Sequence, residues 1–497
     1  MTARQRRAAP SVGRRRSGLS SGKTPGLPSG FRSGGTTVRS SRIVTAAAMT
    51  AATALAVTGC GSGTSGSSAK SIKVVYWQNL DSTNKLQATF LASMVKQFTK
   101  ANPGTKVTLV PVTASENDYY TKIQLMMRSP ATAPDLVYED TALINSDIAG
   151  GYLKPLDAYT AKWSDWSQYA KAAKGAVTGA SDGKTYAVPD DTDTRGIWYN
   201  KQLLEKAGVS VPWQPKTWAD VIATARNVKA KLPGVTPLNL YTGQAGGEAS
   251  SMQGFEMLLY GTPAGDKSLY DASQKKWVVG SQGFKDALDF VHTVYSQGLG
   301  PSKEQALGAN FGTAVGTELI PEGKLAIDID GSWMPNNWSS AAAKPWTEWQ
   351  SVMGTAAMPT QNGQAPGRTS MSGGWAWSIP AKAGNADLAW KFLSTTLQTK
   401  TNAAQWNATN ANIAVRTDVA SDSTYLNSVP TNKFFTELVA DTHYRPGLPA
   451  YNQVSTAIQK AMESVTTGQA SVDKAASTFD NDVKAAVGGD KTVKGGS

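Results

Sequence analysis

The chain is 497 residues long, with 49 Lys and Arg, 37 Asp and Glu, two His and one Cys. One thiol excludes an intrachain disulfide framework, and two histidines leave little for a zinc site. The formal charge of +12 is concentrated in residues 1–59, which hold ten basic residues and no acidic one, while the rest of the chain sets 39 basic against 37 acidic side chains; the charge therefore gives no support to a nucleic-acid partner.

Residues 43–57, IVTAAAMTAATALAV, form a 15-residue stretch without a charge. A membrane span needs about 20 such residues. A signal-peptide core needs about 7–15, preceded by positive charge and closed by small residues. Arg39 and Arg42 supply the charge, and Val57-Thr58-Gly59-Cys60 resembles the bacterial lipobox. Residues 1–59 are read as a lipoprotein-type signal peptide, with the true start near Val38 because the segment ahead of Ile43 is long for a charged leader. Cys60 then becomes the first residue of the mature chain and carries a lipid on its sulfur. Residues 60–70, rich in Gly and Ser, form a flexible tether. A catalytic thiol would need a positioned base, and His292 and His443 are remote in sequence.

After the tether, SIKVVYW predicts a buried strand ending near Trp77. The spacing of Leu86, Phe90, Leu91, Met94, Val95 and Phe98 predicts a helix, stopped by Asn102-Pro103-Gly104. KVTLVPV is a second strand, YYTKIQLMMRS a second helix and PDLVYED a third strand, a parallel α/β pattern. KTYAVP and RGIWYN give strand signals on either side of residues 190–194. Thr217 followed by Asp220 opens a helix with Trp218, Val221, Ile222, Ala225 and Val228 on its apolar face. A further helix carries Phe284, Leu288, Val291 and Tyr295. KLAIDI is a strand followed by GSWMP, and GGWAWSIP is another, followed by a helix over residues 387–397. The last 45 residues read as two helices separated near Gly468.

Several chemistries can be tested against these segments. GASDG at 179–183 matches G-x-S-x-G, but a nucleophile elbow needs a strand before and a helix after, and here a strand follows, so it reads as a turn. Glu139 and Asp140 end a strand, and Asp190, Asp191 and Asp193 cluster at a junction. A glycosidase needs two carboxyls flanking a sugar bond, and sequence does not give their separation. Trp77, Trp333, Trp375 and Trp377 lie at strand ends beside Gly, Asn, Asp or Ser, where open α/β sheets bind ligands. Sugars present a C–H face that stacks on indole and hydroxyls that pair with Asp, Glu, Asn and Arg. Trp198, Trp218 and Trp390 are assigned to the core by their periodicity.

The order of YWQNLD, PDLVYED with GGYLKPLD, YAVPDDTDTRGIWYNKQLLEKAGV, PKTWADVIATA, KLAIDIDGSWMP, GGWAWSIPAKAGNADLAWKFL and YRPGLPAYNQVSTAIQKAMESVTTGQASVDKA, behind a lipobox, resembles the extracellular solute-binding proteins of the maltose-binding type, carbohydrate receptors of ABC importers. The resemblance implies an α/β, type II periplasmic-binding-protein-like fold with two lobes joined by hinge strands. Lobe 1 would comprise 71–191 and 378–428, and lobe 2 would comprise 192–377 and 429–497. It implies a monomer that holds a di- or oligosaccharide between its lobes without catalysis, cofactor or metal. It further implies delivery to ABC permease subunits from the outer face of the cytoplasmic membrane of a Gram-positive-type cell. By position it assigns ligand contacts to Asn79, Asp81, Glu139, Asp140, Asp193, Arg195, Trp333, Gly373, Gly374, Trp375, Tyr444 and Arg445. Residues 241–251 have no match. The competing readings are a solute-binding protein for a polyamine or peptide, through cation–π and carboxylate contacts, and a lipid-anchored glycoside hydrolase.

Overall fold

The computed structural model describes residues 70–79, 85–340 and 342–495. A five-stranded sheet orders Lys106–Ala114, Ser71–Asn79, Leu136–Asp140, Trp375–Ser378 and Ala187–Asp191. The first three run parallel, as helical crossovers require, and Trp375–Ser378 is antiparallel to both its neighbours. Side-chain alternation divides the core between the two faces: Val74, Tyr76, Leu136, Tyr138, Val188 and Trp377 pack on one, Val75, Val137, Ala187 and Ala376 on the other. Helix Leu86–Ala101 buries Leu91, Met94 and Phe98, and ends where the Asn102 side chain donates to the Phe98 carbonyl at 2.9 Å. Helix Glu116–Met127 is capped by Ser115, which accepts from the Asp118 amide.

A four-stranded sheet orders Met353–Ala356, Arg195–Asn200, Leu325–Gly331 and Thr236–Asn239. Helix Trp218–Lys231 starts with the full capping box of Thr217 and Asp220 that the spacing predicts. It packs with helices Gln282–Ser296, Tyr451–Thr467 and Val472–Val487 over the largest apolar cluster. Trp198, Trp338 and Trp349 fill a separate cluster. Trp198 and Trp218 are buried as expected, and Trp390 packs at the margin of the first sheet's core, half-buried, stacked on Tyr159 at 5.1 Å and met edge-on by Trp163.

The chain passes from the first sheet to the second through Thr192, Asp193 and Thr194, and re-enters the first through Gly373 and Gly374 from strand Arg368–Ser372 of a separate three-stranded sheet. Strand Thr442–Tyr444 pairs in parallel with Arg368–Ser372 beside these passages. Thr192 exchanges backbone hydrogen bonds with Ile413 at 2.8 and 2.9 Å, and its hydroxyl donates to the Gly373 carbonyl. Thr194 Oγ1 donates to the Phe435 carbonyl at 2.7 Å. Gly374 has φ of +129°, and a Cβ there would lie 2.4 Å from the Asp191 carbonyl oxygen. Gly374→Ala is expected to cost at least about 1–3 kcal/mol, measured as a lower urea midpoint. An unchanged midpoint would show that the crossing tolerates a side chain.

Candidate functional site

The ends of the two sheets supply the polar and aromatic groups. Asp140 and Asp191 close strands of the first sheet, where Trp375 lies opposite both. Gly331 closes its strand in the second sheet, where Arg195 lies opposite. This is the edge at which α/β sheets hold ligands.

Trp77 Nε1 donates to the Ala114 carbonyl at 3.0 Å, which fixes the indole plane. The Trp375 ring stacks against Trp77 at 5.4 Å and against Tyr138 at 5.0 Å. Tyr119 and Tyr120 approach the same ring at 6.2 and 6.3 Å. Trp77 and Trp375 are half-buried, so the aromatic cluster reaches the edge of the sheet.

Arg195 organises the second sheet's side. Its Nη1 donates to Asp193 Oδ1, its Nε to Gln253 Oε1 at 2.8 Å, and its amide to Ser370 Oγ at 2.9 Å. The Gly373 amide donates to the same Asp193 oxygen at 2.9 Å. The guanidinium carbon lies 4.8 Å from the Trp333 ring centroid, a cation–π contact. That indole folds back over Gly331, where a Cβ would come within 2.0 Å of the ring. Asp330, one residue earlier, accepts from Tyr241 at 2.8 Å, and burial raises its carboxyl to about 6.

A second guanidinium joins the two sides. Arg445 Nη2 donates to Asp140 Oδ1, and Nη1 lies 3.2 Å from Asp140 Oδ2 and 3.0 Å from Glu248 Oε2. The Tyr120 hydroxyl lies 2.9 Å from Asp140 Oδ2 and 2.6 Å from Glu116 Oε1. The Tyr451 hydroxyl lies 3.1 Å from Glu248 Oε2 and 2.7 Å from Glu256 Oε1. Burial, reinforced by the charge of Asp140, raises Glu116 to about 7. Burial, reinforced by the charge of Glu248, raises Glu256 to about 8.

The structure brings together Asp140, Asp193, Arg195, Trp333, Gly373 and Arg445. A Cβ on Gly373 would lie 3.2 Å from Asp193 Oδ2 and 3.3 Å from Arg445 Nη2. Trp375 adjoins this group through Asp140, its partner across the strands. Gly374 makes the tight return beside Asp191. Tyr444 ends its short strand half-buried, and burial raises its hydroxyl. Asn79 ends the first strand opposite Ala114. Asp81 and Cys60 lie outside the described residues.

Glu139 is a correction to the sequence reading. Consecutive strand residues face opposite ways, so Glu139 leaves Asp140 and enters the core with Val137. It is fully buried, accepts from Ser378 Oγ at 3.2 Å, and has its carboxyl raised well above the usual range by burial and by Asp147. Trp377 is likewise core, packed on Tyr138. His443 stacks on Tyr260 and lies 2.7 Å from Asp266 Oδ1. Among the described residues no cluster of His, Cys, Asp and Glu is arranged to hold a metal ion. Sequence reasoning missed Glu116, Tyr120, Glu248, Glu256 and Tyr451. The signal for Glu256 was its charge inside the apolar run GFEMLLY; Glu248 falls in the unmatched residues 241–251.

The model of a family described as bacterial extracellular solute-binding protein matches residues 81–403. The galactooligosaccharide-binding protein of Bacillus subtilis (strain 168) is 25% identical over 446 residues, 88% of this chain and 96% of that one. A maltooligosaccharide ABC transporter solute-binding lipoprotein of Streptococcus pneumoniae (strain R6) is 26% identical over 337 residues, 65% of this chain and 68% of that one. Among solved structures, the GacH receptor of Streptomyces glaucescens GLA.O superposes with a TM-score of 0.70 at 24% identity, over 84% of this chain and 98% of that one. The fold is the α/β, type II periplasmic-binding-protein fold. With more than half of its length matched, the chain belongs to the bacterial extracellular solute-binding protein family.

Proposed function

We propose that the protein captures an uncharged di- or oligosaccharide between two lobes and delivers it to the permease of an ABC importer. In this reading lobe 1 comprises 71–191 and 378–428, and lobe 2 comprises 192–377 and 429–497. Cys60 anchors the chain as a monomer at the outer face of the cytoplasmic membrane of a Gram-positive-type cell. The names of the galactooligosaccharide- and maltooligosaccharide-binding relatives support the solute class. The contacts belong to Asn79, Asp81, Asp140, Asp193, Arg195, Trp333, Gly373, Gly374, Trp375, Tyr444 and Arg445.

One observation carries the reading. The half-buried indole of Trp333 lies against the Arg195 guanidinium, whose charge is met by Asp193, and half-buried Trp375 pairs across the strands with Asp140, which with Glu248 meets the charge of Arg445. Such a site suits stacking and hydroxyl pairing. Neither Arg195 nor Arg445 offers an unmet positive charge to a phosphorylated or acidic sugar. The same carboxylates are tied to guanidiniums, which leaves them poorly placed as an acid and a nucleophile for hydrolysis.

The test is thermal unfolding of the protein against neutral mono-, di- and oligosaccharides, with uronates, polyamines and peptides as controls. A solute at 100 times its Kd stabilises by about 2.7 kcal/mol, which for a chain of this size is a shift of a few degrees. A shift with one class of neutral saccharide is expected. A shift with polyamines or peptides alone would keep the fold and replace the solute.

A further inference from the structure

We infer that Glu248 is a positioning residue that sets Arg445 as a clasp between the two halves of the protein, closing them when Arg445 bridges Glu248 and Asp140. The inference rests on the reading that the halves close on a solute, but its test needs no solute.

Each carboxylate is fixed from its own side. Asp140 accepts from the Ala142 amide at 2.7 Å and lies against the Tyr120 hydroxyl. Glu248 accepts from Ser455 Oγ at 2.5 Å through Oε1, and Tyr451 lies on its Oε2. Both partners of Glu248 belong to helix Tyr451–Thr467, which packs on the second sheet's helices. Among the described residues Arg445 alone donates to both carboxylates, and its side chain is 4% exposed, with Asp140 at 6% and Glu248 at 11%. The neighbouring surfaces meet as well. A Cβ on Gly247 would lie 3.5 Å from Asn117 and 3.7 Å from Glu116. Parting the halves separates Arg445 from Asp140 while Glu248 stays with it, so the Arg445–Asp140 pair forms only on closing, with Glu248 already holding the guanidinium in place.

The clasp also has a pH sense. Glu116 faces Tyr120, Asp140, Glu248 and Arg445. Glu256 faces Glu248, Tyr451, Arg445 and Arg195, all on its own half, so its raised carboxyl does not report closure. Glu116 meets Glu248 and Arg445 from the other half, and its carboxyl stands at about 7 in the closed arrangement, above the about 4.3 of a solvated glutamate. Closing therefore takes up a proton at Glu116 between those values, and it loses favour as pH rises towards 7.

The experiment measures the distance between spin labels at Lys122→Cys and Glu304→Cys, both exposed, in the solute-free full chain carrying Cys60→Ser. The parent is expected to hold a short-distance population at pH 5.5 that shrinks by pH 8.5. Glu248→Gln keeps the shape but not the charge, and should lose most of that population and most of its pH response. Asp140→Asn should do the same from the other side. Equal distance distributions in parent and Glu248→Gln would overturn the inference. So would a lower unfolding temperature with unchanged distances, which marks a merely structural role. If the variants open the protein while no saccharide binds the parent, the clasp stands and the sugar reading falls.

Discussion

Arg195→Met is expected to lower the unfolding free energy by about 3–5 kcal/mol and to abolish solute binding with it. Arg195 begins its strand directly after the chain has crossed between the sheets, and its side chain is 8% exposed. Removing the guanidinium leaves Asp193 buried with the Gly373 amide as its remaining donor, and leaves Gln253 Oε1 without Arg195 Nε. Asp330 loses a cation that holds its carboxyl down against burial. The Trp333 ring loses the surface on which it lies. Methionine restores much of the volume, so the loss reports charge and hydrogen bonding rather than a cavity. Urea unfolding at pH 7 measures it. A loss below about 1 kcal/mol, in the range of a surface ion pair, would mean that water reaches Asp193 and that the crossing is looser than described.

The two tryptophans should separate stability from recognition. Trp333 rests on Gly331 and on Arg195 at the rim, so Trp333→Ala is expected to weaken saccharide binding by about 1–3 kcal/mol, roughly 5- to 150-fold, with little change in unfolding. Trp375 is stacked against both Trp77 and Tyr138. Trp375→Ala should weaken binding by a similar factor and also destabilise the first sheet by about 2–3 kcal/mol, below the 3–5 of a fully buried tryptophan because the ring is half-buried. Titration calorimetry and urea unfolding on the same preparations give both quantities. Unchanged affinity in both folded variants would remove the indoles from the site.

The parts of this fold that depend on near neighbours were legible in the sequence. Thr217 and Asp220 stand three residues apart and form the capping box that this spacing predicts. Strand KLAIDI appears where it is expected, extended to Gly331 and buried along its whole length. Glu139 shows a rule not applied far enough. The two-residue repeat of any strand forbids Glu139 and Asp140, once read as a strand, from facing the same way. Trp390 shows the limit of helical periodicity, which marks the face that meets the core but not that the ring stays half-buried between Tyr159 and Trp163.

The clasp was beyond reach for a different reason. Arg445 meets Asp140 across 305 residues and Glu248 across 197, and Tyr451 meets Glu256 across 195. No local pattern encodes pairings of that separation. The resemblance supplied Asp140 and Arg445 but not Glu248, since residues 241–251 match no motif. The role of Gly331 was hidden too, because it lies in how Trp333 folds back rather than in a turn.

The central claim is that a neutral saccharide is held, unchanged, between the edges of the two sheets. Its most direct test is titration calorimetry of the protein with the saccharide that stabilises it, followed by chromatography of the sugar recovered after dissociation. The account predicts one saturable site per chain, affinity lost in Trp333→Ala, and sugar recovered intact. A heat signal only with a polyamine or peptide, or sugar returned with new reducing ends, would contradict it.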